Sequence, residues 1–170
     1  LAWKASDYEN FRAARPELAK DAEKELEKVV RLHLLQGWPF RIHATYNESI
    51  ERMLTLFETI NETQPLSSVR WIIDHAETVT DENLDRIKAL GGAIAVQGRM
   101  AFAGEDFLER YGEKQTKRTP PIKKMLEKGI PVGFGTDGTR VSSFNPWATY
   151  YWAVSGRTVG GKKLYDRSNT

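Results

Sequence analysis

The chain has 170 residues, a length that fits one ordinary domain. Its 25 Lys and Arg against 23 Asp and Glu leave a formal charge of +2, too balanced for a nucleic-acid footprint. With 40% hydrophobic and 11% aromatic residues it is too apolar for disorder. The absence of cysteine excludes disulfides, thiolate zinc sites, iron–sulfur clusters and a cysteine nucleophile, and no apolar run approaches the ~18 residues of a membrane span.

The first predicted element is a helix from about Glu17 to Gln36, with Pro16 before it and Gly37 as its stop. Ala22, Leu26, Val29 and His33 follow the helical period, and Glu27 and Arg31 form a favourable i,i+4 pair. His33, being on that apolar stripe, is read as a packed histidine. A strand follows over 38–44. Asn47 is then expected to cap a helix that carries Ile50, Met53, Leu54, Phe57 and Ile60 on one face. The stretch 64–68 breaks it, and Val69 to His75 reads as the second strand. Thr80 caps a helix through Leu90, with Asp81 and Glu82 at its positive end and Gly91-Gly92 beyond.

Ala93 to Gln97 is a third, wholly apolar strand until its last residue. A short helix is expected near Glu105–Tyr111, then a basic loop with Lys114, Lys117 and Arg118. Pro121 opens a helix through Lys128 that Gly129 stops. Residues 130–137 form the fourth strand, and a last helix runs from Pro146 to about Val154, where Trp147, Tyr150, Tyr151 and Trp152 read as packing residues. Strands separated by helices cannot pair as hairpins, so they should be parallel. Two α/β architectures satisfy this rhythm: a small doubly wound sheet, or about half of a (β/α)8 TIM-type barrel.

In such folds chemistry collects at the C-terminal ends of strands. Here those ends carry His43, His75, Gln97 and Asp137 in successive units. Imidazole and carboxylate suit Zn²⁺ and related divalent ions, so a shared metal site is one reading. The other is that the histidines are boundary residues and Asp137, in Gly-Thr-Asp-Gly, is a turn residue. Asp74 alternates with His75 and is expected to face the helix layer if His75 faces the barrel interior.

Ile42-His43-Ala44, Ile73-Asp74-His75-Ala76-Glu77 and Gly133-Phe134-Gly135-Thr136-Asp137-Gly138 resemble, in order and spacing, the fifth-, sixth- and eighth-strand signatures of the amidohydrolase superfamily, closest to its amidohydrolase-3 type. The resemblance implies a metallo-dependent hydrolase barrel with one or two divalent ions, zinc foremost. His43, His75 and Asp137 would be metal ligands, and Asp137 also the general base. Gln97 and Arg99 would contact substrate. It implies hydrolysis of an amide or other non-peptide C–N bond in a small molecule. The balanced charge and the lack of a long apolar run point to no nucleic-acid or membrane partner, and nothing in the sequence reports a compartment, so the location is cytoplasmic by default only. The family's H-x-H pair and strand-four lysine have no counterpart here, so the chain is expected to be incomplete: residues 1–170 would be strands five to eight with their helices, inactive alone and completed by the missing remainder of the chain or by association with further copies. Two rival readings stay open: a non-catalytic α/β module, and a phosphoester-cleaving metallohydrolase on the same barrel, to which the basic stretch Lys114–Lys128 would contribute.

Overall fold

The computed structural model describes residues 21–138 and 142–165. Its elements are α1 (Ala22–Gln36), β1 (Phe40–Ala44), α2 (Asn47–Asn61), β2 (Trp71–His75), α3 (Asp81–Ala89), β3 (Ala93–Gln97), α4 (Met100–Thr116), α5 (Ile122–Glu127), β4 (Val132–Gly135) and α6 (Pro146–Ser155), with one 3₁₀ turn at Leu66–Ser68. The predicted start of the first helix and the last residues of the chain lie outside the described residues.

The four strands are parallel and lie in the order β1-β2-β3-β4. Right-handed crossovers that keep moving in one direction put every helix on one face of the sheet. A doubly wound sheet reverses its order at a switch point, and this one does not. Sequential order is that of an arc of a (β/α) barrel.

Strand register divides the side chains into two faces. Ile42, Ile73, Ile94 and Val132 form one row, in which Ile73 and Ile94 are buried under the helices. The adjacent row is His43, Asp74, Ala95 and Gly133, on the open face. The core is built by α2, whose Ile50, Leu54, Phe57 and Ile60 are fully buried, together with Trp71, Leu84 and Ile87. Phe57 sits edge-on to both Trp71, at 5.2 Å between centroids, and Phe40, at 6.0 Å.

Several expectations change. The apolar stripe of α1 is Leu26, Val30 and Leu34; Val29 is exposed. Asn47 does not cap its own helix. Its side-chain oxygen accepts from Thr80 N and Asn83 Nδ2, both at 2.9 Å, which fastens the start of α2 to the start of α3. The short helix near 105–111 is part of α4, which begins at Met100 and continues past a kink at Gly112 (φ 77°, ψ 171°). That glycine mimics a terminator, so the basic stretch read as a loop is partly helical. Of the α6 aromatics only Trp152 is buried; Trp147, Tyr150 and Tyr151 are exposed. His33 is a packed residue as expected, edge-on to Trp38 and Phe40. Among the described residues no helix is long and apolar enough to cross a membrane.

Candidate functional site

His43, His75 and Gln97 all stand at the C-terminal edge of the sheet, and Asp137 lies in the loop two residues beyond β4. Ordinary strand alternation would send the His43 and His75 side chains to opposite faces, because the register aligns His43 with Asp74 and Ala44 with His75. The backbone prevents this. His75 has φ 79° and Ala76 φ 49°, and the Ala76 N–H reaches both Ala44 O at 2.9 Å and Asp74 O at 3.3 Å, closing a tight three-residue turn centred on His75. The ring of His75 consequently meets that of His43 edge to face, with centroids 4.4 Å apart. Positive φ is uncommon outside glycine and costs about 1–3 kcal/mol where a bulky residue adopts it. Among the described residues only His75, Ala76 and Asp137 (φ 49°) do so without being glycine. The strain is thus concentrated at two of the three expected ligands.

The same turn corrects the expectation for Asp74. It does not face the helix layer; it lies on the open face beside His43, and Arg41 binds it through Nη2 to Oδ1 at 2.6 Å. A cleft of about 510 Å³ on that face is lined by Arg41, Asp74, His75, Gln97 and Asp137, with Ala93, Ala95 and Gly133 as its small-residue floor. His43 borders a second groove of about 800 Å³, formed with Leu26, Val30, His33 and Phe40 along the β1 edge. The imidazole pair therefore stands on the seam between two clefts.

Burial drives the His75 pKa down to about 4, and the neighbouring His43 and Arg99 push the same way, against Asp137 and Asp74. The ring is neutral at pH 7, the state in which a nitrogen lone pair can bind a metal. Its buried Nδ1 has no hydrogen-bond partner. Two imidazoles in contact, that of His75 held neutral by burial, and an orphaned nitrogen fit a divalent ion such as Zn²⁺ as part of its donor set. Asp137 shares the cleft with His75, yet among the described residues no group of three or more metal-binding side chains is gathered closely enough to enclose an ion.

Gln97 also belongs to a buried polar pair with Glu77, a residue that sequence reasoning did not single out. Glu77 is 2% exposed, and burial pushes its carboxyl up to about 8 even though Arg99 acts to lower it. Gln97 Nε2 donates to Glu77 Oε1 at 3.4 Å, leaving Glu77 Oε2 and Gln97 Oε1 buried without partners. Gln97 thus lines the cleft and holds Glu77, whereas Arg99 is buried at the start of α4. A lone charged residue in the strand-to-helix connection 76–80 was the available signal for Glu77.

Part of the basic stretch is engaged elsewhere. Lys123 and Lys128 pair with Glu127 and Asp85, and Lys124 with Asp81. Ammonium groups occupied by carboxylates are poor material for a phosphate site.

The sequence model of the Amidohydrolase family matches residues 2–170. Two solved structures share the fold. An uncharacterized metal-dependent hydrolase from Pyrococcus horikoshii OT3 is 25% identical with a TM-score of 0.69, over 86% of this chain and 29% of that one. An uncharacterized metal-dependent hydrolase from Pyrococcus furiosus is 23% identical with a TM-score of 0.70, over 92% of this chain and 30% of that one. The chain therefore spans less than a third of either hydrolase. No curated protein matches it.

Proposed function

The chain belongs to the amidohydrolase family, and from that premise we propose that it forms part of the active site of a metal-dependent hydrolase that cleaves an amide or other non-peptide C–N bond in a small molecule. One observation carries the reading: a strained turn brings His75 against His43, at the strand edge where this fold class does its chemistry.

His43 and His75 would hold a divalent ion, zinc being the natural choice for a nitrogen-rich set, and Asp137 would join them from the β4 loop. A bound ion of this kind lowers the pKa of water and polarises the scissile carbonyl. The chain's own residues do the rest. Burial keeps His75 neutral and its ring fixed. Asp137 accepts a proton from the attacking water and returns it to the leaving nitrogen, which requires hydrogen-bond reach to both. Gln97, on the cleft wall, would orient the substrate, and Arg99 would act from behind it through its charge on Glu77. The remaining ligands and the other side of the cleft would come from the rest of a longer chain, since the related hydrolases are about three times as long.

The test is metal analysis with a hydrolysis panel of N-acyl amino acids and cyclic amides, on the full-length protein and its His75→Ala variant. Loss of bound metal together with loss of turnover is expected. Full occupancy and undiminished turnover in the variant would reject the assignment.

A further inference from the structure

β1 and β2 end as regular strands at Ala44 and His75, yet the two chains stay tied beyond that point. Ala76 N–H donates to Ala44 O at 2.9 Å, Thr78 N–H to Thr45 O at 3.2 Å, and Thr80 N–H to Asn47 Oδ1 at 2.9 Å. The rungs fall on alternate residues, 76, 78 and 80. In the third the acceptor is a side chain, because α2 begins at Asn47 and its backbone carbonyl is committed to the helix. Asn47 also gives a bond of its own: its N–H donates to Thr78 Oγ1 at 2.9 Å. The buried Asn83 donates from Nδ2 to the same Asn47 Oδ1 at 2.9 Å, which fixes where that oxygen points.

These rungs hold the connection that leaves His75. Its first residues, His75 and Ala76, have φ 79° and 49°, a left-handed backbone that residues other than glycine keep only when their surroundings over-determine it. Downstream of Ala76, the bonds of Thr78 and Thr80 both lead back to the segment 45–47. Glu77 lies between two rungs, so the same strap aims its side chain at Gln97.

Resting on the reading of His43 and His75 as residues of the site, we propose that Asn47 is a positioning residue: by clamping Thr78 and Thr80 it keeps the left-handed turn closed and the His75 ring against His43. It acts through the backbone of the 76–80 connection and not on substrate or ion. The task needs one side-chain oxygen that accepts two N–H groups at once. Asparagine and aspartate supply it, and an aliphatic residue of similar size does not.

Hydrogen exchange resolved to single amides, on metal-free full-length protein, tests this without relying on activity; Zn²⁺ titration calorimetry on the same samples reads the consequence for the site. In Asn47→Leu the amides of Ala76, Thr78 and Thr80 should exchange roughly tenfold faster, the factor for one lost hydrogen bond, and by more than the amides inside β2. Zn²⁺ should bind roughly tenfold more weakly, as when other supports of a metal ligand are removed. Asn47→Asp keeps an acceptor for both donors and should restore the wild-type exchange pattern and Zn²⁺ affinity. A residue that merely caps helices would behave differently: Asn47→Leu would speed exchange at Thr80 and lower overall stability, leaving Ala76 and Zn²⁺ affinity as in wild type. That result overturns the proposal, as does an Asn47→Asp variant as impaired as Asn47→Leu. Should Asn47→Leu fail to fold, Thr78→Val removes the acceptor of the Asn47 N–H; faster exchange at Ala76 supports the clamp, and an unchanged rate there overturns it. Wild-type protein that takes up no Zn²⁺ would bring down the metal reading itself, while the exchange rate of Ala76 would still decide the role of Asn47.

Discussion

His43 and His75 touch, with ring centroids 4.4 Å apart, although the sheet register aligns His43 with Asp74 and not with His75. The contact exists because the chain leaves β2 through a left-handed backbone at His75 and Ala76. Strand geometry alone would have placed the two rings on opposite sides of the sheet.

That backbone makes position 75 selective in a way unrelated to metal. Asparagine tolerates left-handed φ and a β-branched residue does not. His75→Val is therefore expected to lose about 1–3 kcal/mol more stability than His75→Asn. Urea denaturation of metal-free protein compares them. Equal losses would mean that the turn relaxes in solution.

Stability of the chelator-treated protein should depend on pH through two buried groups of opposite sense. His75 falls from 6.5 to about 4 on folding, so its contribution is complete above pH 6.5 and is lost as pH drops towards 4. Glu77 rises from 4.5 to about 8, so its contribution is complete below pH 4.5 and is lost as pH climbs towards 8. Between 4.5 and 6.5 the two slopes oppose each other. From 6.5 to 8 Glu77 acts alone, and stability should decline with pH. Glu77→Gln should flatten that decline; an unaltered slope in the variant would show that Glu77 is not its source.

Gly98, immediately after Gln97, packs against α6 so closely that an added Cβ would collide with the Thr149 side chain and approach its Cα to 3.1 Å. Gly98→Ala is expected to cost about 1–3 kcal/mol, as overpacking does elsewhere. Gly133, with nothing within 4 Å of an added Cβ, is the control: Gly133→Ala on this chain should change the unfolding free energy by less than about 0.5 kcal/mol. If the two substitutions proved equivalent by thermal melting, the close approach of the β3–α4 connection to α6 would be wrong.

Aromatic residues divide by burial. Phe57→Ala should lose about 3–5 kcal/mol, because the ring is fully buried between Phe40 and Trp71. Trp147→Ala, removing a side chain that is 72% exposed, should stay within about 0.5 kcal/mol. Chemical denaturation of the two variants measures the difference directly.

Much of the architecture was legible in the order of residues. Alternating strand and helix signals imply a parallel sheet, and hydrophobic period and Gly or Pro punctuation locate most helices, because these are local properties of the chain. Thr80 caps α3 through its hydroxyl as expected, accepting from Asn83 N. Asn47 was legible as a polar residue at a helix start, but not as one that fastens two helix starts together, since its partners Thr80 and Asn83 lie 33 and 36 residues away. Gly112 misled for a related reason: a glycine with positive φ is a common helix terminator, yet the segment beyond it resumes helical geometry.

For the site, the sequence by itself determined which groups arrive at one edge of the sheet: His43, His75, Gln97 and Asp137 follow from where the strands must end. Which of these groups meet was decided only in three dimensions. The His43–His75 contact depends on a backbone inversion with no compositional signature, and the Arg41–Asp74 fork on a register between strands more than thirty residues apart. The burial that moves Glu77 and His75 comes from helices and strands distant along the chain. Local preference sets elements and their polarity; contact, burial and charge coupling are non-local, and they exist only once the sheet has assembled.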